Sequence, residues 1–168
     1  IYWLEEPILT DEIENLVKLA DETSIPIALG ETDSTKWEFK ELIERGAVEI
    51  IQADIEGCGG VTEWIKIAAM ADAYGLPICP HNTPCVDAAL IAAVPNGLFQ
   101  EYIHEFFDPL GQVFIDPIKP KNGKISPSSK PGFGIELSEE AVERLQVHPS
   151  PEELAFSRKR GWRWPPYL

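Results

Sequence analysis

The amino-acid sequence predicts an α/β fold made of parallel βα units, the arrangement found in (β/α)-barrels. Two observations carry this prediction. Short apolar runs alternate with helical patterns from residue 1 to about residue 101, and such alternation is typical of parallel strands joined by helices. Each predicted strand is also followed at once by an ionisable residue, as expected where the strands of a barrel end at one common mouth.

Five short apolar runs are the strand candidates, and their order along the chain sets the order of the units. The runs cover residues 2–4, 25–29, 48–51, 76–79 and 98–99. Parallel strands need a long crossover connection, usually a helix, and the segments between the runs have helical patterns. The sequence therefore predicts strands that pair in parallel along the chain.

The helices are predicted from apolar residues that recur at helical spacing. They cover residues 11–20, 37–45, 61–74, 86–94 and 138–145. Gly46 follows the second of them and is a candidate C-cap. Residues 105–135 are rich in Pro and Gly and are predicted to be loop with short extended pieces. A tail over residues 146–168, with Trp162 and Trp164, is predicted to pack against the body.

Composition excludes several classes of protein. The formal net charge of −14 argues against nucleic acid and anionic membranes as partners, and no apolar run is long enough to span a membrane. Cys58, Cys79 and Cys85 form no paired spacing, so we expect buried thiols and a cytoplasmic protein. The sequence opens at Ile1 without Met, which suggests a fragment of a longer chain.

The polar residues that follow the strands predict a metal site. They are Glu5, Glu31, Asp54, His81 and Glu101. Several carboxylates in one pocket need a countercharge, and oxygen ligands suit Mg²⁺ better than Zn²⁺. Glu5 and Glu31 are the candidate metal ligands, whereas Asp54 is expected to hydrogen-bond His81 and make it a general acid or base.

Neighbouring residues have simpler interpretations. Strand alternation is expected to turn Glu6 away from Glu5, towards solvent or a structural ion pair. Gly57, Gly59 and Gly60 indicate a tight βα turn. His104 lies among aromatic residues and is expected to be packed.

Taken together, these residues resemble the enolase superfamily, and within it the mandelate racemase-like subgroup. The resemblance rests on four motifs that occur in order over about residues 1–145. The motifs are Trp3-Leu4-Glu5-Glu6-Pro7, Ile27-Ala28-Leu29-Gly30-Glu31, Gln52-Ala53-Asp54 with the following Cys58-Gly59-Gly60, and Pro80-His81. The resemblance implies that residues 1–145 form the C-terminal portion of a (β/α)7β TIM-like barrel, with about five βα strands and a closing segment.

The resemblance also implies roles for individual residues. Glu5 and Glu31 resemble two metal ligands of the family, and Asp54 and His81 resemble its Asp–His dyad. Glu101 is similar to the last-strand carboxylate that hydrogen-bonds the substrate's enolate. Family members use Mg²⁺ to abstract the proton α to a carboxylate, a reaction in which metal charge offsets the developing anion.

The sequence departs from the family pattern at its start. The Asp that supplies the first metal ligand, the Lys base on an earlier strand and the N-terminal capping domain have no counterpart here, so we expect this chain to be inactive by itself. The favoured reaction is dehydration of a sugar acid, with a racemase or epimerase as the alternative and a homo-oligomer expected at full length. A different alternative is an assembly fragment whose open strand edges pair with another chain. A Schiff-base aldolase is disfavoured because none of the five predicted strands ends in Lys.

Overall fold

Parallel strands form the centre of the molecule, in a computed structural model that describes residues 1–146, 148 and 150. The sheet has the order β1 (Leu4–Glu5), β2 (Ile27–Leu29) and β3 (Ile50–Ile51). Two further parallel bridges, Ile51 to Ile78 and Ile78 to Gly97, continue the ladder. The predicted α/β class and the parallel order are confirmed.

Backbone hydrogen bonds carry this ladder beyond the named strands. Leu4 N donates to Pro26 O at 2.8 Å, and Cys79 N donates to Ile51 O at 2.8 Å. Leu98 N donates to Ile78 O at 2.9 Å. The five predicted strands therefore pair in chain order, although the paired stretches are shorter than the apolar runs.

Helices connect the strands close to the predicted places. Their bounds are α1 (Ile13–Glu22), α2 (Thr35–Arg45), α3 (Val61–Ala73), α4 (Pro84–Ala93), α5 (His104–Leu110) and α6 (Glu139–Leu145). Gly46 caps α2 with a left-handed φ of 69°, as predicted. Ser138 caps α6, where its side chain accepts a hydrogen bond from Ala141 N.

The main core lies between the sheet and its helices. Its buried side chains come from the outer face of the strands and the inner faces of α1, α2 and α3, and include Leu16, Leu29, Phe39, Ile51 and Trp64. A second apolar layer lies on the other face of the sheet, where Ala28, Ile50 and Cys79 are buried against Trp3 and Leu98. The two layers follow strand alternation and fix the direction in which each strand end points.

The segment after Glu101 differs from the prediction. Residues 105–135 were expected to be loop, but α5 and a 3-10 turn over Gly111–Val113 occupy its beginning. Helix α5 has no buried residue and contains Pro109, so it lacks the apolar periodicity that identifies a helix in sequence. The predicted tail packing of Trp162 and Trp164 lies outside the described residues. Within the described residues, no helix combines the length and the apolarity needed to cross a bilayer.

Candidate active site

Four of the predicted polar residues meet at the carboxyl ends of the strands. Glu5 ends β1, and Glu31 follows β2. His81 and Glu101 follow the bridges at Ile78 and Gly97. One ligand atom from each of Glu5, His81 and Glu101 lies within 4.8 Å of the others. Parallel strand direction is the physical cause of this convergence.

His81 lies between two carboxylates. Its Nδ1 is 2.9 Å from Glu101 Oε2 and 3.3 Å from Glu31 Oε2, and the side chain is 16% exposed. The nitrogen is nevertheless buried without an aligned hydrogen-bond partner among the described residues. Both contacts are therefore close approaches and not hydrogen bonds, since angle as well as distance decides whether a hydrogen bond forms.

Glu101 is held by the loop that carries His81. Its Oε2 accepts a hydrogen bond from the backbone N–H of Asn82 at 2.9 Å. Asn82 has a left-handed φ of 67°, a conformation that Asn tolerates better than most residues. The same turn therefore orients both the imidazole and the carboxylate beside it.

Glu5 is oriented by two side-chain donors. Gln52 Nε2 donates to Glu5 Oε2 at 2.9 Å, and Trp3 Nε1 donates to the same oxygen at 3.0 Å. Glu5 is exposed at the mouth, whereas Gln52 is buried. The charged group thus reaches solvent while a buried amide fixes its direction.

The pKa of Glu31 is shifted by its surroundings at the strand ends. Its pKa is raised chiefly by burial, and the nearby charges of Glu6, Glu5 and Glu101 add to the effect while His81 opposes it. A carboxyl whose charged form is disfavoured by burial and by other carboxylates gains most from a cation. Gly30 sets its position, since φ there is +135° and an added Cβ would lie 2.7 Å from the Phe39 ring.

The donor set suits a small divalent cation. Two carboxylates and an imidazole lie within 4.8 Å of one another. The carboxylate oxygens are donors that Mg²⁺ prefers, and the imidazole beside them could carry a proton. Glu31, which contacts His81, is not part of that closest group.

The described part of the chain contains no hydrogen bond between Asp54 and His81, and their pairing as a dyad stays a prediction. Among the described residues, Asp54 Oδ1 instead accepts from the backbone N–H groups of Glu56 at 2.6 Å and Gly57 at 3.2 Å. The tight βα turn after β3 leaves these donors without other acceptors, and a short Asp side chain satisfies them locally.

Two predictions need correction. Glu6 is half-buried rather than turned to solvent, and it accepts a hydrogen bond from Thr32 Oγ1 at 3.1 Å. Its φ of 37° breaks the strand geometry on which the alternation argument depends. His104 is not packed: its side chain is 70% exposed and pairs with Asp108 at 3.2 Å.

Two of the three cysteines are buried, as predicted. Cys58 and Cys79 are buried, Cys85 is half-buried, and all three are free thiols. Burial raises the pKa of Cys58 to about 11 and that of Cys79 to about 12. Thiols held in the protonated form are poor nucleophiles, so they act as packing residues.

Two buried polar residues of this region were not predicted. Gln52 belongs to the Gln52-Ala53-Asp54 motif, and its position two residues after Ile50 places it on the inner face of the sheet. Asp87, fully buried in the first turns of α4, accepts from Thr83 N at 2.9 Å. A carboxyl within a run of small apolar residues was the available signal for Asp87.

Comparisons with known proteins identify relatives of this chain. The D-galactonate dehydratase of Cronobacter sakazakii is 38% identical, over 83% of this chain and 40% of that protein. A crystal structure of an enolase from Bradyrhizobium, complexed with magnesium and mandelic acid, matches with a TM-score of 0.81 and 30% identity, over 88% of this chain and 40% of that one. The L-talarate dehydratase of Polaromonas sp. JS666, complexed with Mg and L-glucarate, matches with a TM-score of 0.77 and 29% identity, over 85% of this chain and 39% of that one.

These matches cover most of this chain and a smaller share of each relative. The chain spans about 40% of the length of the curated relative it matches. The sequence model of the family described as enolase C-terminal domain-like matches residues 1–141. The chain therefore belongs to the enolase C-terminal domain-like family, within the superfamily that includes mandelate racemase and sugar-acid dehydratases.

Proposed function

We propose that this chain contributes to the Mg²⁺-dependent abstraction of a proton α to a carboxylate, and that the reaction is the dehydration of a sugar acid. The observation that carries the proposal is the gathering of Glu5, His81 and Glu101 within 4.8 Å at the strand ends. The names of the dehydratase relatives support the reaction class.

Glu5 and Glu31 are the proposed ligands of the cation. Glu5 has its carboxylate oriented by Gln52 and Trp3, and Glu31 has a raised pKa that a cation would reverse. When bound, Mg²⁺ supplies positive charge that stabilises the anion developing on the substrate carboxylate.

His81 is the proposed proton carrier. It lies beside the carboxylates rather than in solvent, so a substrate bound at the mouth would present its α-carbon or its β-hydroxyl to the ring. His81 would act as the base on one face, or as the acid that assists departure of the β-hydroxyl. Glu101 is proposed to hydrogen-bond the substrate's developing oxyanion.

Asp54 remains a proposed partner of His81. It follows β3, the strand next to the one that carries His81. To pair with the ring it would have to release the N–H groups of Glu56 and Gly57. Pairing in the substrate complex would then set the tautomer and basicity of His81.

Racemisation or epimerisation is the second candidate reaction. The Bradyrhizobium relative is complexed with mandelic acid, and the same proton abstraction followed by reprotonation would give it. A second proton carrier on the opposite face is needed for racemisation. The two reactions differ in their products, since only dehydration removes the β-hydroxyl.

The direct test identifies the products of the reaction. The D-galactonate dehydratase relative contains a part that this chain does not match, and that part is joined to this chain to give one protein. The joined protein is incubated with D-galactonate and Mg²⁺ in D₂O. We expect a dehydrated keto acid, whereas retained β-hydroxyl with deuterium at the α-carbon would indicate racemisation. His81→Asn should abolish both, and His104→Asn is the matched control. Turnover unchanged by His81→Asn would refute the assignment.

The chain by itself is proposed to be inactive and to bind Mg²⁺ weakly. Calorimetric titration with Mg²⁺ and size measurement test this together. A stable monomer that binds one Mg²⁺ disfavours the assembly-fragment alternative, whereas association without Mg²⁺ binding supports that alternative. The homo-oligomeric state and the cytoplasmic location remain predictions.

A further inference from the structure

Gln52 is the buried donor behind the Glu5 carboxylate. It is 2% exposed and directly follows β3, where its backbone N–H donates to Leu29 O at 2.7 Å. Ile50, two residues earlier, belongs to the inner apolar layer. Strand alternation therefore places the Gln52 side chain on the same inner face, just below the mouth.

The amide of Gln52 reaches across one strand to Glu5. Ala28 pairs with Glu5 on one side and with Ile50 on the other, so β2 lies between the two side chains. The Ala28 side chain on that strand is small and fully buried. Gln52 Nε2 then donates to Glu5 Oε2 at 2.9 Å.

The orientation of this amide follows from its partner. An ionised carboxylate only accepts hydrogen bonds, so the NH₂ end must face Glu5. The opposite end, Oε1, is buried with no partner among the described residues. An unsatisfied buried acceptor destabilises a fold, so Gln52 is a poor choice for stability alone. Local penalties of this kind are expected at functional sites.

Two donors to one oxygen restrict the Glu5 carboxylate. Trp3 Nε1 donates to the same Oε2 at 3.0 Å, and no described side chain donates to Oε1. The carboxylate is therefore fixed through one oxygen, with the other available to a cation. We propose that Gln52 is a positioning residue that holds Glu5 in the geometry needed for metal binding, an inference that rests on the proposed function.

The test replaces the amide while keeping its volume. Gln52→Met removes the donor and the unsatisfied acceptor together, so the fold should be retained. Partners that orient a metal ligand are typically worth 10–100-fold in affinity. We expect Gln52→Met to weaken Mg²⁺ binding by about that factor in a calorimetric titration, without lowering the thermal unfolding midpoint.

A second readout does not involve the metal. The Trp3 indole N–H should exchange faster with solvent in Gln52→Met, because Glu5 is no longer held beside it. Its NMR signal is assigned with Trp3→Phe. The control variant is Asn96→Leu, which removes a buried amide that donates to Ala68 O and Leu76 O. This variant should lower the unfolding midpoint but leave Mg²⁺ affinity and Trp3 exchange unchanged.

The outcomes separate this inference from the proposed function. The metal role of Glu5 is wrong if Glu5→Gln does not weaken Mg²⁺ binding, or if the unaltered chain binds no Mg²⁺. In that case the exchange rate of the Trp3 indole N–H alone decides whether Gln52 positions Glu5. If Glu5→Gln abolishes binding while Gln52→Met changes neither affinity nor exchange, only the role of Gln52 is overturned. If Asn96→Leu weakens binding as much as Gln52→Met, the effect is one of stability and the inference also fails.

Discussion

The imidazole Nδ1 of His81 lies 2.9 Å from Glu101 Oε2 and has no aligned hydrogen-bond partner within the part of the chain that the structure describes. The two residues follow adjacent bridges of the parallel ladder, at Ile78 and Gly97, so backbone pairing brings them together. Glu31 approaches the same nitrogen at 3.3 Å. This arrangement sets two carboxylates against one imidazole nitrogen, and it underlies the first prediction.

Replacing Glu101 with Gln should impair chemistry but not folding. The Gln oxygen would still accept from Asn82 N, which now donates to Glu101 at 2.9 Å, whereas the negative charge beside His81 would be lost. We expect the rate of α-proton exchange in the joined protein to fall by about 100-fold or more. The measurement is deuterium incorporation followed by NMR. A rate within about threefold of the unaltered protein would remove Glu101 from the mechanism.

Replacing Gly30 with Ala should destabilise the chain and disturb Glu31. The backbone there has φ +135°, and the new Cβ would lie 2.7 Å from Phe39 Cε1 and 3.0 Å from the Gln52 carbonyl carbon. We expect the free energy of unfolding to fall by about 2 kcal/mol or more in urea denaturation. At Gly75, where φ is +74°, an added Cβ would have no atom within 4 Å. Gly75→Ala should therefore lower the free energy of unfolding by only about 1 kcal/mol. Equal losses at both positions would mean that the steric contact is unimportant.

Replacing Trp64 with Phe should weaken the link between α3 and the end of β3. Trp64 is fully buried, and its Nε1 donates to Ala53 O at 3.1 Å, directly before Asp54. Phe leaves that carbonyl unpaired and part of the volume empty, which should cost about 2–4 kcal/mol of unfolding free energy. The control is Trp37→Phe, since the Trp37 side chain is 65% exposed. We expect this variant to change the free energy of unfolding by less than about 0.5 kcal/mol. Comparable losses for the two variants would contradict this account.

Asp87 should make stability fall as pH rises. Burial, with smaller contributions from the charges of Asp54 and Glu56, raises its pKa to about 8, while the Thr83 N–H opposes the shift. A carboxyl with a raised pKa in the folded state stabilises the fold fully below its unfolded value of about 4. That contribution is lost between about pH 4 and pH 8, because the unfolded state releases its proton first.

The variant that checks this is Asp87→Asn. Its oxygen would still accept from Thr83 N, and no charge would have to form in the interior. We expect the free energy of unfolding at pH 8 to rise by about 1–3 kcal/mol and its pH dependence to flatten. Urea denaturation at pH 5 and pH 8 measures both, with the exposed Asp72→Asn as control. The idea fails if the unaltered chain is equally stable at the two pH values.

The order of strands and most helices could be predicted because local patterns determine them. Val61–Ala73 is helical over nearly the predicted range, since its buried face recurs at helical spacing. The meeting of Glu5, His81 and Glu101 could also be predicted, because parallel strands end at one edge. These features depend only on periodicity and direction.

Features that depend on side-chain competition were not predictable. Whether Asp54 pairs with His81 or with the N–H groups of its own turn is decided by local geometry that no pattern records. Glu6 departs from alternation because its φ is positive. Gln52 acts across an intervening strand, and a contact of that kind requires the sheet register.

The most direct test of the central claim uses Mn²⁺ in place of Mg²⁺. Mn²⁺ also prefers oxygen ligands, and its unpaired electrons broaden NMR signals of nuclei close to it. A metal site at the strand ends predicts that substoichiometric Mn²⁺ broadens the ring signals of His81 more strongly than those of His104, and that Glu5→Gln removes this difference. Equal broadening at both histidines, or broadening of His81 that survives in Glu5→Gln, would contradict a metal site at the strand ends.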